Sequence, residues 1–312
     1  MVEIEVATFS VFLGAQVMGE RKAMLVLHGK QALNEQVREA VGAMRDRGWI
    51  LDVRLTWEGG DAQRLVSEAL QAGYSHIVAG GGDGTLRDVA EAMAQASSHA
   101  SLVLLPLGTA NDFAKAAGVP LEPAEALALL EQPAHSIDLG RVGDQLFLNM
   151  ATAGFGSQVT ANTSEDLKKV LGAAAYLFTG LSRFSELQAA SVELHGPDFQ
   201  WQGDLLALGI GNGRQAGGGH VLCPDALADD GLLDIGILPA PQEMVGALRD
   251  LLAGEGLFVR ARLPWVEIKS SQGLDINLDG EPLQADSLRF EVLPSALRVH
   301  LPAGSPVLSR PD

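Results

Sequence analysis

The chain has 312 residues, 47% apolar and 20% charged, a globular composition long enough for two domains with their own cores. Its formal net charge of −17 argues against a nucleic-acid partner and against broad adsorption to an anionic membrane. The single cysteine, Cys223, excludes an internal disulfide and suits a reducing compartment, and no apolar run reaches the ~20 residues of a membrane span.

Residues 1–20 are apolar from Val6 to Met18, but Glu3 and Glu5 stand where a secretory signal carries positive charge. A retained, poorly ordered extension is expected there. Met24 to Leu27 is a buried strand, and Leu33, Val37, Val41 and Met44 recur at helical spacing up to Gly48. Trp49 to Leu55 alternates as a second strand. Asp61, after the loop from Thr56 to Gly60, reads as the cap of a helix whose buried face is Ala62, Leu65, Val66, Ala69 and Leu70. A third strand, His76 to Ala79, runs into Gly80-Gly81-Gly82-Asp83-Gly84-Thr85 and a helix to Gln95. A fourth, Leu102 to Leu105, runs into Pro106-Leu107-Gly108-Thr109-Ala110-Asn111-Asp112-Phe113. Strand and helix alternate, so the expectation is an α/β domain over 21–138 with a parallel sheet, its ligand loops beyond the strand ends.

The pattern changes near Pro133 to Gly140. Beyond it, strand-like runs dominate: Leu146 to Met150, Ser191 to Leu194, Asp204 to Ile210, Leu232 to Leu238, Trp265 to Ile268, Leu274 to Leu278, Leu288 to Leu293 and Leu297 to Leu301. Helices are expected near Leu167 to Phe184 and Gln242 to Ala253. The reading is a mostly antiparallel β-sandwich over 139–301, with the tail 302–312 packing back on the first domain.

Four stretches carry candidate chemistry. The glycine loop leaves backbone N–H groups bare at a helix start, a place that holds phosphate. A carboxylate there repels phosphate unless a divalent cation lies between, so Asp83 suggests a metal–nucleotide loop; a tight turn using Asp83 as a local cap is the alternative. Gly209 to Gly219 is glycine-rich and offers Arg214 as a positive charge for phosphate, or is a flexible hairpin with a solvated Arg. Asp225 to Leu232 is either a source of oxygen ligands for a hard cation or a plain acidic turn. Asn277-Leu278-Asp279-Gly280-Glu281-Pro282 is first a hairpin turn; its two carboxylates, Asp279 and Glu281, could instead face the cleft, and Glu281 could then accept a proton. His220 and Cys223 are two ligands where a structural zinc needs four. Lys168-Lys169 reads as a solvated helix face.

Taken together, these residues resemble the YegS-like bacterial lipid kinases within the diacylglycerol kinase catalytic family. The motifs that carry the resemblance are Gly80 to Thr85, Pro106 to Phe113, Gly211 to Gly219 and Leu278 to Pro282. It implies an ATP- and Mg²⁺-dependent kinase in the cytoplasm, in peripheral contact with the inner membrane face. The γ-phosphate would pass to a lipid hydroxyl of the phosphatidylglycerol or diacylglycerol class. By position, Thr56, Gly82, Asp83, Gly84, Thr85, Leu86, Arg87, Asp88 and Thr109 would contact ATP, and Glu281 would be the base. Leu227 and Leu232, through carbonyls, with Asp230 would hold a structural Mg²⁺ or Ca²⁺. Arg87 and Asp88 depart from the family's usual Asn and Glu. A soluble NAD-kinase-like enzyme and a non-catalytic nucleotide sensor are the alternatives.

Overall fold

The structure is a computed structural model that describes residues 21–96, 98–154, 190–240 and 258–309. The expected N-terminal extension, the helices near 167–184 and 242–253, and Lys168-Lys169 lie outside these residues. The first half runs β1 (Lys22–His28), α1 (Glu35–Asp46), β2 (Ile50–Thr56), α2 (Asp61–Gln71), β3 (His76–Gly81), α3 (Asp83–Gln95), β4 (Ser101–Pro106), α4 (Asp112–Ala116), α5 (Pro123–Ala128) and β5 (Ala134–Val142). β1 pairs in parallel with β2 and β3, and β3 with β4. Val26, Val78 and Val103 are fully buried, as strands covered on both faces require.

Local chemistry sets the helix starts. Asn34 caps α1 by accepting the Val37 amide at 3.3 Å, so Leu33, expected on the buried face, lies ahead of the cap and is 86% exposed. Asp61 is not the cap of α2. That position is Gly60, in the left-handed region at φ 86°. Asp61 instead accepts the amides of Trp57 (2.7 Å) and Glu58 (3.1 Å) and pairs with Arg64. Arg64 first, then those two amides, hold its carboxyl down at about 2. The loop that carries Thr56 is thereby clasped to the first turn of α2.

The second half adds β6 (Gln145–Phe147), β7 (Met150–Gly154), β8 (Ala190–Gly196), β9 (Phe199–Gly211), the two-residue strands β10 (Gln215–Ala216) and β11 (His220–Val221), then β12 (Leu233–Pro239), β13 (Val259–Leu263), β14 (Trp265–Leu278) and β15 (Glu281–His300). Every strand pair within this half is antiparallel. Two pairs of expected strands are each one strand. β14 spans Trp265 to Leu278 through a register shift between Lys269 and Leu274, and β15 absorbs another between Leu293 and Leu297, with Ser295 at φ 52°.

β15 joins the two halves. Its first part pairs with β14, and its last residues pair in parallel with β4, making one sheet of 13 strands among the described residues. β5 spans both cores: Ile137 and Leu139 pack in the first and Val142 in the second. The composition change near 133–140 therefore falls on a strand rather than a linker. Leu297, Val299, Leu301 and Val307 pack in the first core, and Ser305 Oγ donates to the Ala117 carbonyl at 2.7 Å.

At the far end of the sheet from the ligand loops, the His300 ring is buried. Its Nε2 lies 2.8 Å from Ser101 Oγ and its Nδ1 2.8 Å from the Gln132 carbonyl. Burial, with His76 and Arg298 nearby, pushes its pKa down to about 4. A depressed folded pKa means stability is complete above the unfolded value of 6.5 and is lost as pH falls toward 4. Relative to wild type, His300→Gln should lower stability at neutral pH and, in denaturant melts between those limits, remove the uptake of about one proton on unfolding; an unchanged pH slope would assign the proton to another group.

Candidate functional site

The loops beyond the C-terminal ends of β1, β3 and β4 meet, and the loop after β2 adjoins them through the turn after β1. Gly82, at the N-cap of α3, has no side-chain cap. Gly108, in the loop after β4, is packed backbone to backbone against it: a Cβ on Gly108 would sit 2.5 Å from the Gly82 Cα. The Leu107 amide donates to the Gly81 carbonyl at 2.8 Å, and Gln31 Nε2 donates to the Leu107 carbonyl at 3.1 Å. Asn111, at φ 50°, closes the loop on itself by accepting the Gly108 amide (2.9 Å) and donating to its carbonyl (2.8 Å).

Asp83 is the first residue of α3, and its Oδ1 accepts the Asp112 amide at 2.8 Å. Burial, then the charge of Asp112, raises its pKa above the ordinary carboxylate value. Asp112 Oδ2 in turn accepts the Gly218 amide at 2.9 Å, and Gln215 Nε2 reaches the Asp112 carbonyl at 3.3 Å. The chain of bonds from Asp83 to Asp112 to Gly218 thus runs from the first glycine loop to the second. Asp83 has a structural role in addition to any ligand it holds.

The β14–β15 hairpin supplies the opposite wall. Asp279 and Gly280 form its two-residue turn with φ of 47° and 105°, the left-handed pair that an Asp-Gly turn favours. The Asp279 carboxylate is turned inward and accepts the amides of Leu148 (2.7 Å), Asn149 (3.0 Å) and Met150 (2.8 Å). Burial outweighs those bonds and pushes its pKa up to about 6. Two residues on, Glu281 is exposed, and its Oε1 lies 3.6 Å from Arg87 Nη1 on α3. Arg87 also bonds its neighbour Asp88.

Arg87, Asp88 and Glu281, which lie far apart in the chain, therefore share one mouth with Gly82 and Asp83. Gly84 follows Asp83 in the first turn of α3, and the Thr109 carbonyl accepts Lys115 Nζ at 3.3 Å. The Thr56 carbonyl lies against the turn after β1, where a Cβ on Gly29 would meet it at 2.5 Å. Two expected contacts face inward instead. Thr85 is buried, and Leu86 packs in the first core with its amide bonded to the Gly82 carbonyl at 3.1 Å. Their part in a site is the backbone turn they form.

The other candidates behave differently. Arg214 is not a solvated or phosphate-ready cation. Its guanidinium is bound to the carbonyls of Ala226 (2.9 Å) and Pro306, which ties the second glycine loop to the tail. Cys223 is buried, with Sγ 3.2 Å from the Asp234 carbonyl, and burial pushes its thiol up to about 12. Asp230 does not fit a divalent ion in this arrangement: Oδ1 accepts the Leu232 amide at 3.0 Å and Oδ2 is paired with Arg262. Leu232 meets Asp230 through its amide. Among the described residues, no group of three or more His, Cys, Asp and Glu side chains is placed to hold a metal.

Asp112 and Arg262 are residues that reading the sequence missed, and Asp279, expected as a carboxylate that could face the cleft, is turned inward to the 148–150 amides. Asp112 and Asp279 stand inside motifs, but nothing in their spacing says that they bind backbone amides of distant segments.

Comparison with known proteins agrees with the two-part fold. The diacylglycerol kinase catalytic domain family matches residues 22–142, and the YegS C-terminal NAD kinase beta sandwich-like domain family matches residues 149–301. A Pseudomonas putida protein named "Probable lipid kinase YegS-like" is 82% identical over 294 residues, covering 94% of this chain and 100% of that protein. One of the same name from Pseudomonas aeruginosa is 68% identical over 298 residues, covering 94% and 99%. The solved structure of a diacylglycerol kinase from Bacillus anthracis str. Sterne has a similar fold, with a TM-score of 0.71 at 21% identity, covering 91% of this chain and 98% of that one. With a diacylglycerol kinase catalytic domain followed by a YegS-type β-sandwich, the chain belongs to the YegS-like lipid kinase family and is a kinase.

Proposed function

We propose that the protein transfers the γ-phosphate of ATP to a lipid hydroxyl at the inner face of the cytoplasmic membrane. Residues 21–138 with the tail 302–312 would bind nucleotide, and residues 139–301 would bind the acceptor. The observation that carries this reading is the meeting of Glu281, from the β-rich half, with the first turns of α3, through the 3.6 Å approach of Arg87. A phosphate seated on the amides of Gly82, Asp83, Gly84 and Thr85 would then lie within one side chain's reach of a carboxylate.

The roles follow from chemistry. Thr56 and Thr109 sit at the two flanking strand ends, placed to bound the nucleotide on either side. Asp83 and Asp112 are oxygen donors whose mutual repulsion a cation would relieve, so they fit the Mg²⁺ that escorts ATP. Bound there, Mg²⁺ would neutralise charge on the transferring phosphoryl group. Glu281 would accept the proton of the attacking hydroxyl as the new O–P bond forms and the bond to the β–γ bridging oxygen breaks, leaving ADP. Arg87 would hold Glu281 in position beforehand and turn to the phosphates as they arrive. Asp279 would position Glu281 by anchoring the hairpin turn to the 148–150 backbone.

Diacylglycerol is the acceptor class that the names of the catalytic family and of the similar solved structure favour, and phosphatidylglycerol is the other class that the resemblance implies. Among the described residues no helix is long and apolar enough to cross a membrane, so contact with lipid would be made at the surface.

Radiolabelled ATP offered with mixed diacylglycerol and phosphatidylglycerol vesicles, or with NAD, should label lipid only, and a chelator should stop the labelling. Label in NAD alone would replace this reading with a soluble kinase. Glu281→Gln should cut single-turnover rate by about 10²-fold or more while ATP affinity changes little; wild-type rates would assign the base elsewhere. Asp83→Asn, which keeps an acceptor for the Asp112 amide, should melt near wild type yet lose about 10²-fold or more in turnover. Turnover equal to wild type would remove Asp83 from the mechanism.

A further inference from the structure

We infer that this chain supplies the cation of its 225–232 loop from its own sequence: the Arg262 guanidinium occupies the place where the family resemblance puts a divalent ion, and the loop holds its shape without metal. The inference concerns the joint between the two halves and is independent of the reaction proposed above.

The loop is dense in carboxylates, and the described structure gives several of them a specific partner. Asp138, on β5, accepts the Gly231 amide (2.7 Å) and the Ser295 amide (2.7 Å). Asp229 accepts the amide and hydroxyl of Ser309, at 2.7 and 2.8 Å. Asp230 and Asp234, with side chains only 15% and 9% exposed, both face Arg262. Nη2 bonds Asp230 Oδ2, and Nε lies 3.4 Å from Asp234 Oδ2.

The guanidinium is placed by the sheet. Asp234 and Arg262 are direct cross-strand partners in the antiparallel β12–β13 pair. Arg260, two residues earlier on the same face of β13, donates to the Leu222 carbonyl at 2.8 Å and holds that edge to the neighbouring loop. A divalent ion at Asp230 would have to displace a charge held by two carboxylates and by strand register. It would find Oδ1 already bonded to the Leu232 amide.

Two carboxylates in partial burial cost stability unless a positive charge faces them. Take Arg262 away, and the same oxygens become the ligands that a hard cation seeks.

The test uses the full chain without nucleotide, melted at constant ionic strength in chelator, in millimolar Mg²⁺ and in millimolar Ca²⁺. Wild type and Asp230→Asn should each melt at the same temperature in all three. Arg262→Ala should melt about 5 °C lower in chelator and recover most of that loss with Ca²⁺ or Mg²⁺. Arg262→Ala combined with Asp230→Asn should recover none of it. A wild-type protein that melts higher with Ca²⁺ or Mg²⁺, in a way that Asp230→Asn abolishes, overturns the inference. So does an Arg262→Ala protein that melts like wild type in chelator. Should Arg262→Ala not fold, the wild-type and Asp230→Asn melts decide alone, since any ion dependence carried by Asp230 contradicts a built-in cation.

Discussion

Asp83 accepts the amide of Asp112, and Asp112 accepts the amide of Gly218. Each bond crosses between segments that are remote in the chain. The first ties the glycine loop after β3 to the loop after β4. The second ties that loop to the glycine-rich hairpin of the β-rich half. Gly108 permits the first tie, because a Cβ there would meet the Gly82 Cα at 2.5 Å and hold the loops apart. A carboxylate that accepts backbone amides leaves the remaining amides of the α3 turn facing the mouth. The proposed anion site and the joint between the halves therefore share the same bonds.

β15 and Asp279 hold the opposite wall in a related way. β15 starts at the proposed base, runs through the sandwich and ends as a neighbour of β4 in the first sheet. Asp279, just before it, is bonded to three successive amides at 148–150. Glu281 thus stands on a strand whose two ends are anchored in different cores. Its distance to Arg87 on α3 is governed by packing in both halves at once, and a hinge confined to one loop would not change it. A kinase that relies on placement and charge more than on covalent chemistry benefits from such a frame.

In so acidic a chain the cations are few, and several act as internal staples rather than ligands. Arg214 holds the second glycine loop to the tail, Arg64 holds Asp61, and Arg262 holds Asp230 and Asp234. These side chains could not be told from solvated charges by spacing, since their partners are carbonyls and carboxylates supplied by other strands.

What the sequence determined alone was local: the strands from β1 to β4, the helices between them, the glycine loop at the start of α3 and the Asp-Gly turn before Glu281. Each of these follows from periodicity, from a cap or from a turn that few residues allow, which are properties of neighbours along the chain. The order of motifs sufficed for the family as well, because combined motifs constrain one another. The tertiary structure alone decided which distant segments each carboxylate clasps. Asp83, Asp112, Asp230 and Asp279 look alike in the sequence, and what separates them is whether a distant amide or guanidinium arrives at hydrogen-bonding distance. The long strands were decided there too. A bulge hides the continuity of β14 and β15 from any local pattern, and only pairing with neighbours on either side of the break restores it.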